Sequence, residues 1–551
     1  MKTPESSPIG RRRFLQGTAA ALAGAWVENG VGGQAHAAQG LSRQSSVVAR
    51  ENSKPGDDWQ LTRVKLDKPA RGYRTPAVEG YCSHQSIAAG ETLDIMVSTE
   101  PARPFILEIF RMGYYGGKGA RRVTTLGPLP GQTQRLPEPS SRRAAECRWE
   151  PSTRLKIPSD WLSGVYLGRL STVSPNAYEP SWQSYVVFIV RDHRPADILF
   201  QCSDNTWQAY NRWPDAFSLY SNPAGVQKSG VDVSFDRPYG RYLQMECMAP
   251  HFFVGSGEFL YWEFPLCYWL EQHGYDVTYC SNHDLLTPER GLNCRTFLSV
   301  GHDEYWDLRQ YHSVKRLIDG GVNTLFLSGN TCCYVSPYTP SGTGLPDRLI
   351  SRAGRYGGLN AAEAAAGMGP FPINDAPSEN LIIGARTTLP FDGCGDWIVT
   401  RPEHWMFEGT GIKKGDSIPG LVGWEWHGDP ADLPGLQVVA EGVVQSKTGL
   451  WHTAAWRDKV TGSPKKDLIG PEGVTLSGDL TPARWTATIY DGPKGNFVFN
   501  ASTCWWVQGL ASPPGHILPW DHWVRPHGPD ARVQRITANL LHRSFAGRAG
   551  L

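Results

Sequence analysis

The sequence lacks several features that would place it in a common class of protein. None of its 11 cysteines forms a CxxC pair, so the ligand spacing of a zinc ribbon is absent. No apolar run is long enough to cross a bilayer. The 54 Lys and Arg nearly balance the 53 Asp and Glu, so neither nucleic acid nor an anionic membrane surface is an expected partner.

The nucleophile-elbow pattern G-x-S-x-G is also missing. Its absence leaves an α/β hydrolase that uses a serine nucleophile without support. Cys202 and Cys332 are candidate thiol nucleophiles, but no obvious base stands beside either in the sequence. A hydrolase without a metal is therefore the least supported enzymatic hypothesis.

The first 37 residues have the pattern of an export signal. RRRFL at 11–15 is a twin-arginine pattern, a weakly apolar Ala/Gly-rich run covers 17–27, and AHA at 35–37 is an A-x-A cleavage site. We expect residues 1–37 to be a twin-arginine signal peptide and the mature protein to be periplasmic or secreted. This pathway carries folded proteins, often with a cofactor inserted, which favours a metal loaded before export.

The next two segments predict a linker and a domain of short strands. Residues 38–57 are polar and predict a linker. From 58 to 192, β-prone runs at 92–97, 105–110, 164–170 and 184–190 are separated by Pro and Gly turns. That spacing is typical of an Ig-like β-sandwich. The fold class predicted for the whole chain is therefore α+β and multidomain, with this sandwich first.

Residues 193–551 predict an α/β domain with a mainly parallel sheet. Strand patterns at 197–202, 276–280, 297–300 and 323–327 alternate with helix patterns at 264–273 and 309–319. We expect loops at 205–211, 282–285, 302–304 and 329–334 to gather at one sheet edge, where ligands bind. Residues 335–380 predict an insertion that acts as a lid, 486–499 is strand-like, and 531–545 predicts a closing helix.

The stretch TFLSVGHDEYW at 296–306 is the centre of this pattern. An apolar strand passes through Gly301 and ends in His302, Asp303 and Glu304, and a helix follows. Alternate residues at a strand end can converge, so His302 and Glu304 could bind a metal or transfer a proton. The alternative is that Asp303 or Glu304 caps the following helix. The triplet alone leaves both interpretations open.

Tyr210 ends the segment after the first strand of the α/β domain, beside Asn205 and Asn211. A phenol loses its proton only near pH ~10 unless a hard trivalent cation forces the loss. Phenolate ligands therefore point to ferric iron rather than to zinc or magnesium. The residues alone do not select Tyr210 from the 21 tyrosines.

Several short motifs occur in an order that resembles the large-subunit family of N,N-dimethylformamidase. They are FRMGYYGG at 110–117, SGVY at 163–166, NTWQAYN at 205–211, GHDEYW at 301–306, SGN at 328–330 and GWE at 423–425. The resemblance runs from about residue 59 to the C-terminal region. Trp207 stands where a tyrosine is expected, and Asp303 occupies a variable position of the GHxEYW motif. A different amide, or a different hydrolysable bond, is therefore expected in place of dimethylformamide.

The resemblance implies a mononuclear, ferric iron held by two tyrosinates and one glutamate, at which an amide is hydrolysed. Glu304 would be the carboxylate ligand and Tyr210 one phenolate. We assign the second phenolate to Tyr166, which would place the site at the junction of the two domains. The competing residues for this second position are Tyr178, Tyr185 and Tyr220.

The resemblance also implies catalytic roles for three further residues. His302 would transfer protons beside the metal, and Glu425 resembles a further catalytic carboxylate. The alternative for Glu425 is a packed residue of a strand flanked by Trp424 and Trp426. Asn330 could orient the substrate or stabilise an oxyanion. The implied mechanism is metal-assisted hydrolysis.

The expected partner is a small amide-type molecule. The family also implies a small partner subunit, and a homo-oligomer is the other open assembly. A different class of function remains as an alternative: a non-catalytic envelope protein that binds a glycan or polymer. The 21 tryptophans and the predicted sandwich favour that alternative, since aromatic faces suit sugar recognition.

Overall fold

The computed structural model describes residues 46–68, 73–176, 178–220, 231–241, 251–365, 368–388, 394–444, 483–518 and 528–546. Residues 43–551 belong to one compact unit. The predicted signal peptide, 1–37, lies outside the described residues. Within the described ranges, no helix combines the length and the apolar character needed to cross a membrane.

Part of the predicted linker is folded. Helix α1 (Val47–Asn52) begins at Ser46, whose side chain accepts a hydrogen bond from the Ala49 amide at 2.9 Å. The linker prediction is wrong for these residues because their polar side chains have buried partners: Arg121 donates to Glu51, and Asn52 donates to Glu271 at 2.7 Å. Polar composition indicates a linker only where such partners are missing.

The N-terminal half contains two sheets that share one core. The strands are β1 (Glu79–Cys82), β2 (Ser86–Ala88), β3 (Thr92–Ser98), β4 (Phe105–Met112), β5 (Ala120–Leu129), β6 (Thr153–Lys156), β7 (Gly164–Thr172) and β8 (Gln183–Arg191). One sheet has the order β2-β8-β7-β4-β5 and the other β1-β3-β6. Ile95, Leu107 and Val186 belong to a single buried cluster drawn from both. The four predicted strands of this half are confirmed, and the Ig-like arrangement stays a prediction.

Strands and helices alternate in the next part of the chain, as the periodicity predicts. The elements are β9 (Ala196–Gln201), α2 (Asp204–Tyr210), β10 (Asp232–Ser234), α3 (Phe259–Trp262), α4 (Phe264–Gln272), β11 (Val277–Cys280), α5 (Glu289–Leu292), β12 (Cys294–His302), β13 (Tyr305–Trp306), α6 (Leu308–Asp319) and β14 (Asn323–Gly329). One difference concerns 205–211, which was expected to be a loop and lies almost wholly within α2.

The rest of the described chain is built from shorter pieces. They are β15 (Tyr334–Val335), β16 (Tyr338–Thr339), β17 (Leu349–Ser351), β18 (Gly354–Arg355), α7 (Ala361–Ala365), α8 (Asn380–Ile383), β19 (Ala385–Thr387), β20 (Cys394–Ile398), β21 (Ser417–Gly423), β22 (His427–Pro430), β23 (Gln437–Val444), β24 (Ala483–Asp491), β25 (Phe497–Asn500) and α9 (Ala531–Ala546). Short 3-10 helices lie at Tyr115–Gly117, His251–Phe253, His283–Leu285, Trp405–Phe407 and Trp506–Gly509. The segment 335–380 thus holds ordered strands, and its action as a lid stays a prediction.

The central sheet has seven strands in the order β11-β9-β12-β14-β25-β24-β23. The first five are mutually parallel, and at one edge β24 pairs antiparallel with β25 and with the last strand, β23. In β12 and β14 nearly every side chain is buried, as in a parallel sheet covered on both faces. The carboxyl ends of the parallel strands meet at one edge, where the polar motifs lie.

A buried ion pair joins the two halves of the chain across the predicted boundary at 192/193. Arg111 of β4 donates two hydrogen bonds of 2.8 Å to Glu271 of α4, and both side chains are fully buried. The Ser163 carbonyl accepts a further bond from Arg111 at 2.9 Å. The FRMGYYGG motif therefore contributes to packing between the halves, whose division into separate domains stays a prediction.

Candidate active site

The end of β12 is shaped by Gly301 and fixed by Asp303. Gly301 has φ of 71°, and a Cβ there would lie 2.7 Å from Cβ of Trp262, so the turn needs glycine. Asp303 accepts hydrogen bonds from Gln201 at 2.5 Å and from Asn282 at 3.0 Å. Its buried carboxylate thus ties β12 to its neighbouring segments and holds the residues on either side in place.

The alternative that the triplet caps a helix is wrong. The N-cap of α6 is Asp307, whose carboxylate accepts from the Arg309 amide at 2.8 Å. Asp303 and Glu304 lie before the short strand β13 instead. The backbone amide of Glu304 donates to the Thr206 hydroxyl at 3.0 Å. The two carboxylate oxygens of Glu304 have other partners.

Glu304 lies among tyrosine hydroxyls. Tyr210 donates to its Oε2 at 2.7 Å, Tyr220 donates to its Oε1 at 3.0 Å, and the two hydroxyls are 3.1 Å apart. The rings of Tyr210 and Tyr220 are stacked with centroids 4.6 Å apart. The Tyr305 hydroxyl contacts that of Tyr220. The hydroxyls of Tyr210, Tyr220 and Tyr305, which come from three segments of the chain, therefore lie together beside the Glu304 carboxylate.

His302 and Glu425 form a second part of the same cluster. His302 Nε2 lies 2.5 Å from Oε2 of Glu425 and 3.4 Å from Oε2 of Glu304. Glu425 occupies the turn between β21 and β22, directly after Trp424, whose φ is 64°. Asn330, in the turn after β14, donates to Oε2 of Glu425 at 3.0 Å. The structure thus brings His302, Glu304, Glu425, Asn330 and Tyr210 together in one cluster.

Burial sets the protonation of these groups. Burial first, and the neighbouring Glu425 second, raise the pKa of Glu304 to about 7. Burial raises the pKa of Glu425 to about 8. Burial lowers the pKa of His302 to about 4. Near neutral pH the His302–Glu425 pair therefore shares one proton and carries no net charge. The pKa values of the Tyr210 and Tyr220 phenols are raised well above the usual range, first by burial and then by Glu304.

Tyr166 does not belong to this cluster, so the prediction that it is the second phenolate is wrong. Its hydroxyl donates to the Leu162 carbonyl at 2.7 Å. Its ring is stacked on Trp161 and Phe188, with centroids 5.0 and 5.5 Å away. Successive side chains of a strand point to opposite faces of the sheet, and Tyr166 lies on the face that packs into the core of the N-terminal sheets. The structure places Tyr220, one of its competitors, beside Glu304 instead.

Three residues near the cluster were not assigned a role from the sequence, Tyr305, Cys504 and Arg352, and Tyr220 was named only as a competitor of Tyr166. Tyr305 stands inside the GHDEYW motif, and Tyr220 follows Tyr210 by ten positions, so proximity was a signal for both. Cys504 and Arg352 come from distant segments without any motif. Only the folded chain brings them to the site.

Two donor sets could hold a metal ion. Tyr210, Tyr220 and Glu304 offer two phenols and a carboxylate, all oxygen. His302, Glu425 and Cys504 offer one ligand atom each, all within 4.8 Å of one another. The first set suits a hard trivalent ion, because two phenolates and one carboxylate neutralise its three charges in a buried place. The second set is of mixed nitrogen, oxygen and sulfur type and suits a softer ion such as zinc.

Comparisons with known proteins agree with the resemblance. The sequence model of the family "N,N-dimethylformamidase beta subunit-like, C-terminal" matches residues 106–519. No curated protein matches the chain significantly. A solved family 123 glycoside hydrolase from Clostridium perfringens, studied for glycolipid glycan hydrolysis, is 13% identical with a TM-score of 0.10. That match covers 24% of this chain and 29% of the glycosidase, and so weak a likeness carries no argument. Because the family model covers well over half of the 551 residues, this chain belongs to the N,N-dimethylformamidase beta subunit-like family.

Proposed function

We propose that the protein is an exported, iron-dependent hydrolase that cleaves a carbon–nitrogen amide bond. The observation that carries the proposal is the convergence of Tyr210 and Tyr220 on the two oxygens of Glu304, at 2.7 and 3.0 Å. These three residues would hold the metal. A bound ferric ion would act as a Lewis acid that polarises the amide carbonyl or acidifies water.

The His302–Glu425 pair is the proton-transfer device of this proposal. Hydrolysis adds water to the carbonyl carbon, breaks the C–N bond and moves one proton from the water to the leaving nitrogen. His302 Nε2 accepts that proton as a general base, since its lowered pKa keeps it neutral at pH 7. Glu425, which keeps its proton near neutral pH because burial raises its pKa to about 8, gives that proton to the leaving amine and regains one from His302 Nε2, 2.5 Å from its Oε2.

Asn330 is a positioning residue in this mechanism. Its Nδ2 donates to Glu425 at 3.0 Å and so fixes the carboxyl group against His302. Its Oδ1 is buried and has no hydrogen-bond partner among the described residues. That free acceptor could bind an N–H of the substrate amide, which would orient the scissile bond.

The glycan-binding alternative loses its main support. It rested on tryptophan, but no tryptophan side chain in the described ranges is exposed. Trp262, Trp306, Trp397 and Trp426 are among the largest fully buried side chains. A sugar platform needs an accessible aromatic face, and most of the described tryptophans are buried, with Trp161, Trp182, Trp405 and Trp424 half-buried. The export and iron parts of the proposal are tested by experiment as follows.

The test uses protein matured through its native export route with iron supplied, and compares Glu304→Ala with His302→Ala. We expect bound iron and a visible phenolate-to-iron absorption in the parent, loss of both in Glu304→Ala, and retention of both with loss of hydrolysis in His302→Ala. Elemental analysis and the absorption spectrum measure this. A colourless parent without iron would contradict the proposal. Zinc that is lost in His302→Ala would instead identify the His302–Glu425–Cys504 set as the metal site.

A further inference from the structure

Arg352 is a buried cation whose hydrogen-bond donors are unused in the described part of the chain. It directly follows β17 and is 2% exposed. None of its three side-chain nitrogens has a hydrogen-bond partner among the described residues. Buried polar groups are nearly always paired, and an unpaired buried charge is costly. Such a group points to a ligand that completes it.

The neighbours of Arg352 are aromatic. Its guanidinium carbon lies 4.9 Å from the ring centroids of both Tyr220 and Tyr334. Ring faces attract a cation, but they do not satisfy its N–H groups. The next arginine, Arg355, shows the contrast: it is equally buried and donates to Glu363 and Glu379 at 3.1 and 2.8 Å. The same segment thus gives one buried arginine hydrogen bonds to carboxylates and gives the other none, although the Glu304 carboxylate attracts Arg352 electrostatically.

An open cavity of about 400 Å³ adjoins Arg352. Its wall also contains Arg142, Ser351, Ala353 and residues 370–372. A volume of roughly 300–1,000 Å³ is usual for sites that bind small organic molecules. Arg142 is already neutralised, because it donates to both oxygens of Asp232 at 2.5 and 2.6 Å. Of the two arginines on this wall, Arg352 is therefore the one whose side-chain donors are unused among the described residues. Its nitrogens are shielded from solvent, so a ligand that binds them must displace part of the wall.

The cavity lies one aromatic ring away from the candidate active site. Tyr220, which contacts Arg352 through its ring, donates through its hydroxyl to Glu304 at 3.0 Å. Tyr334 is stacked on Tyr305, with centroids 5.6 Å apart. A group bound by Arg352 is thus held at a distance of one side chain from the Glu304 cluster. A bifunctional molecule could reach both places at once.

We propose that Arg352 binds a carboxylate of the substrate, so that the amides hydrolysed are carboxylate-bearing ones such as N-acyl amino acids. The inference rests on the proposed function, whose substrate class it specifies. A guanidinium binds a carboxylate through two parallel hydrogen bonds. A single guanidinium matches a monoanion better than a phosphate dianion, since Arg142 is already occupied by Asp232.

The test measures binding directly, by calorimetry on the full-length iron-loaded protein. The probes are a panel of N-acetyl amino acids and their methyl esters, which differ only in the charge of the carboxyl group. We expect the parent to bind at least one acid more tightly than its ester. Arg352→Gln should lose on the order of 100-fold in affinity for that acid and keep its affinity for the ester.

Two further variants make the result independent of folding. Arg352→Lys keeps the charge over the two rings but lacks the planar fork, and it should lose most of the preference for acid over ester. Arg154→Gln removes an exposed arginine outside the cavity and should bind as the parent does. In steady-state assays Arg352→Gln should raise KM for the acids and leave kcat nearly unchanged, because the contact is made equally in the ground and transition states.

The other outcomes separate failure of this proposal from failure of the proposed function. If no acid binds more tightly than its ester, or if inorganic phosphate binds more tightly than every acid, Arg352 is not a carboxylate site. If Arg352→Gln loses acid and ester binding equally together with the iron absorption, Arg352 supports the phenols instead. Acid binding that depends on Arg352 in a protein without iron or hydrolysis would sink the proposed function and leave this site standing.

Discussion

Two buried tyrosines of this chain, Tyr166 and Tyr220, have the same chemistry and different partners. The Tyr166 hydroxyl donates to a backbone carbonyl, which never ionises. The Tyr220 hydroxyl donates to a carboxylate and contacts two other phenols. A phenol in the second setting can exchange its proton for a cation, because other oxygen donors already surround it. The partner of a hydroxyl therefore decides its role, and the sequence does not show the partner.

Replacement of these two tyrosines by phenylalanine separates the roles. Tyr220→Phe keeps the stacked ring and removes one donor to the metal. We expect it to lower metal affinity by at least the roughly 10- to 100-fold that loss of an outer-sphere partner causes, and to weaken the visible absorption. Tyr166→Phe should lower the free energy of unfolding by about 1–3 kcal/mol with the spectrum unchanged. Iron titration and thermal unfolding measure the two effects.

Equal iron affinity in Tyr220→Phe and the parent would show that Tyr220 is not a ligand, and Tyr305, which contacts it, would become the next residue to test.

His302 and Glu304 could be predicted because two alternate positions at one strand end can converge on the same edge of the sheet. Tyr166 was chosen wrongly because the face to which a strand residue points depends on register, which a single sequence leaves open. Arg352 could not be predicted, since nothing in its local sequence differs from a surface arginine.

At the scale of elements, the site depends on turns that follow buried strands. β12, β14 and β21 each end in a sharp change of direction, and each delivers a residue of the cluster: His302, Asn330 and Glu425. Gly301 and Asn330 have positive φ, as does Trp424. Strand ends are defined by apolar runs and can be read from sequence. The segment 205–211 was harder, because its polar residues hide a buried helix whose amide and hydroxyl groups bind neighbouring loops.

Gly301→Ala tests how strongly the turn positions His302. The new Cβ would meet Cβ and the carbonyl oxygen of Trp262 at 2.7 and 2.8 Å. We expect a loss of about 1–2 kcal/mol from the positive φ and about 1–3 kcal/mol more from overpacking, with a fall in hydrolysis because His302 moves. Gly435→Ala is the matched control, since φ is 74° there and no atom lies within 4 Å. Chemical denaturation and activity measure both variants.

The Gly435→Ala variant should lose only the stability that a positive φ costs a residue with a Cβ, about 1–2 kcal/mol, and should keep full activity. If the two glycine variants lose the same stability and both remain active, the close approach of Trp262 does not matter for the site. The comparison thus isolates packing from backbone conformation at a single turn.

At the scale of the whole molecule, the N-terminal sheets are joined to the central sheet by buried polar contacts as well as by apolar ones. The sequence pattern predicted short strands joined by turns before residue 192 and strands alternating with helices after it. The two regions form separate sheets. It gave no sign that Arg111 and Glu271 would meet, because residues 160 positions apart share no local pattern. Long-range polar pairs are the part of this fold that periodicity cannot reach.

Glu271→Gln tests whether that pair stabilises the molecule as a whole. It would leave the fully buried Arg111 without a counter-charge, and breaking a buried pair in this way lowers the free energy of unfolding by about 3–5 kcal/mol. Asp58→Asn is the control, because the Lys118–Asp58 pair is largely exposed and its removal should leave the unfolding midpoint nearly unchanged. Urea denaturation measures both, and equal midpoints would contradict the prediction. Adding Arg111→Met to Glu271→Leu should not restore the parent, because Asn52 and Tyr279 also donate to Glu271 and would lose their acceptor.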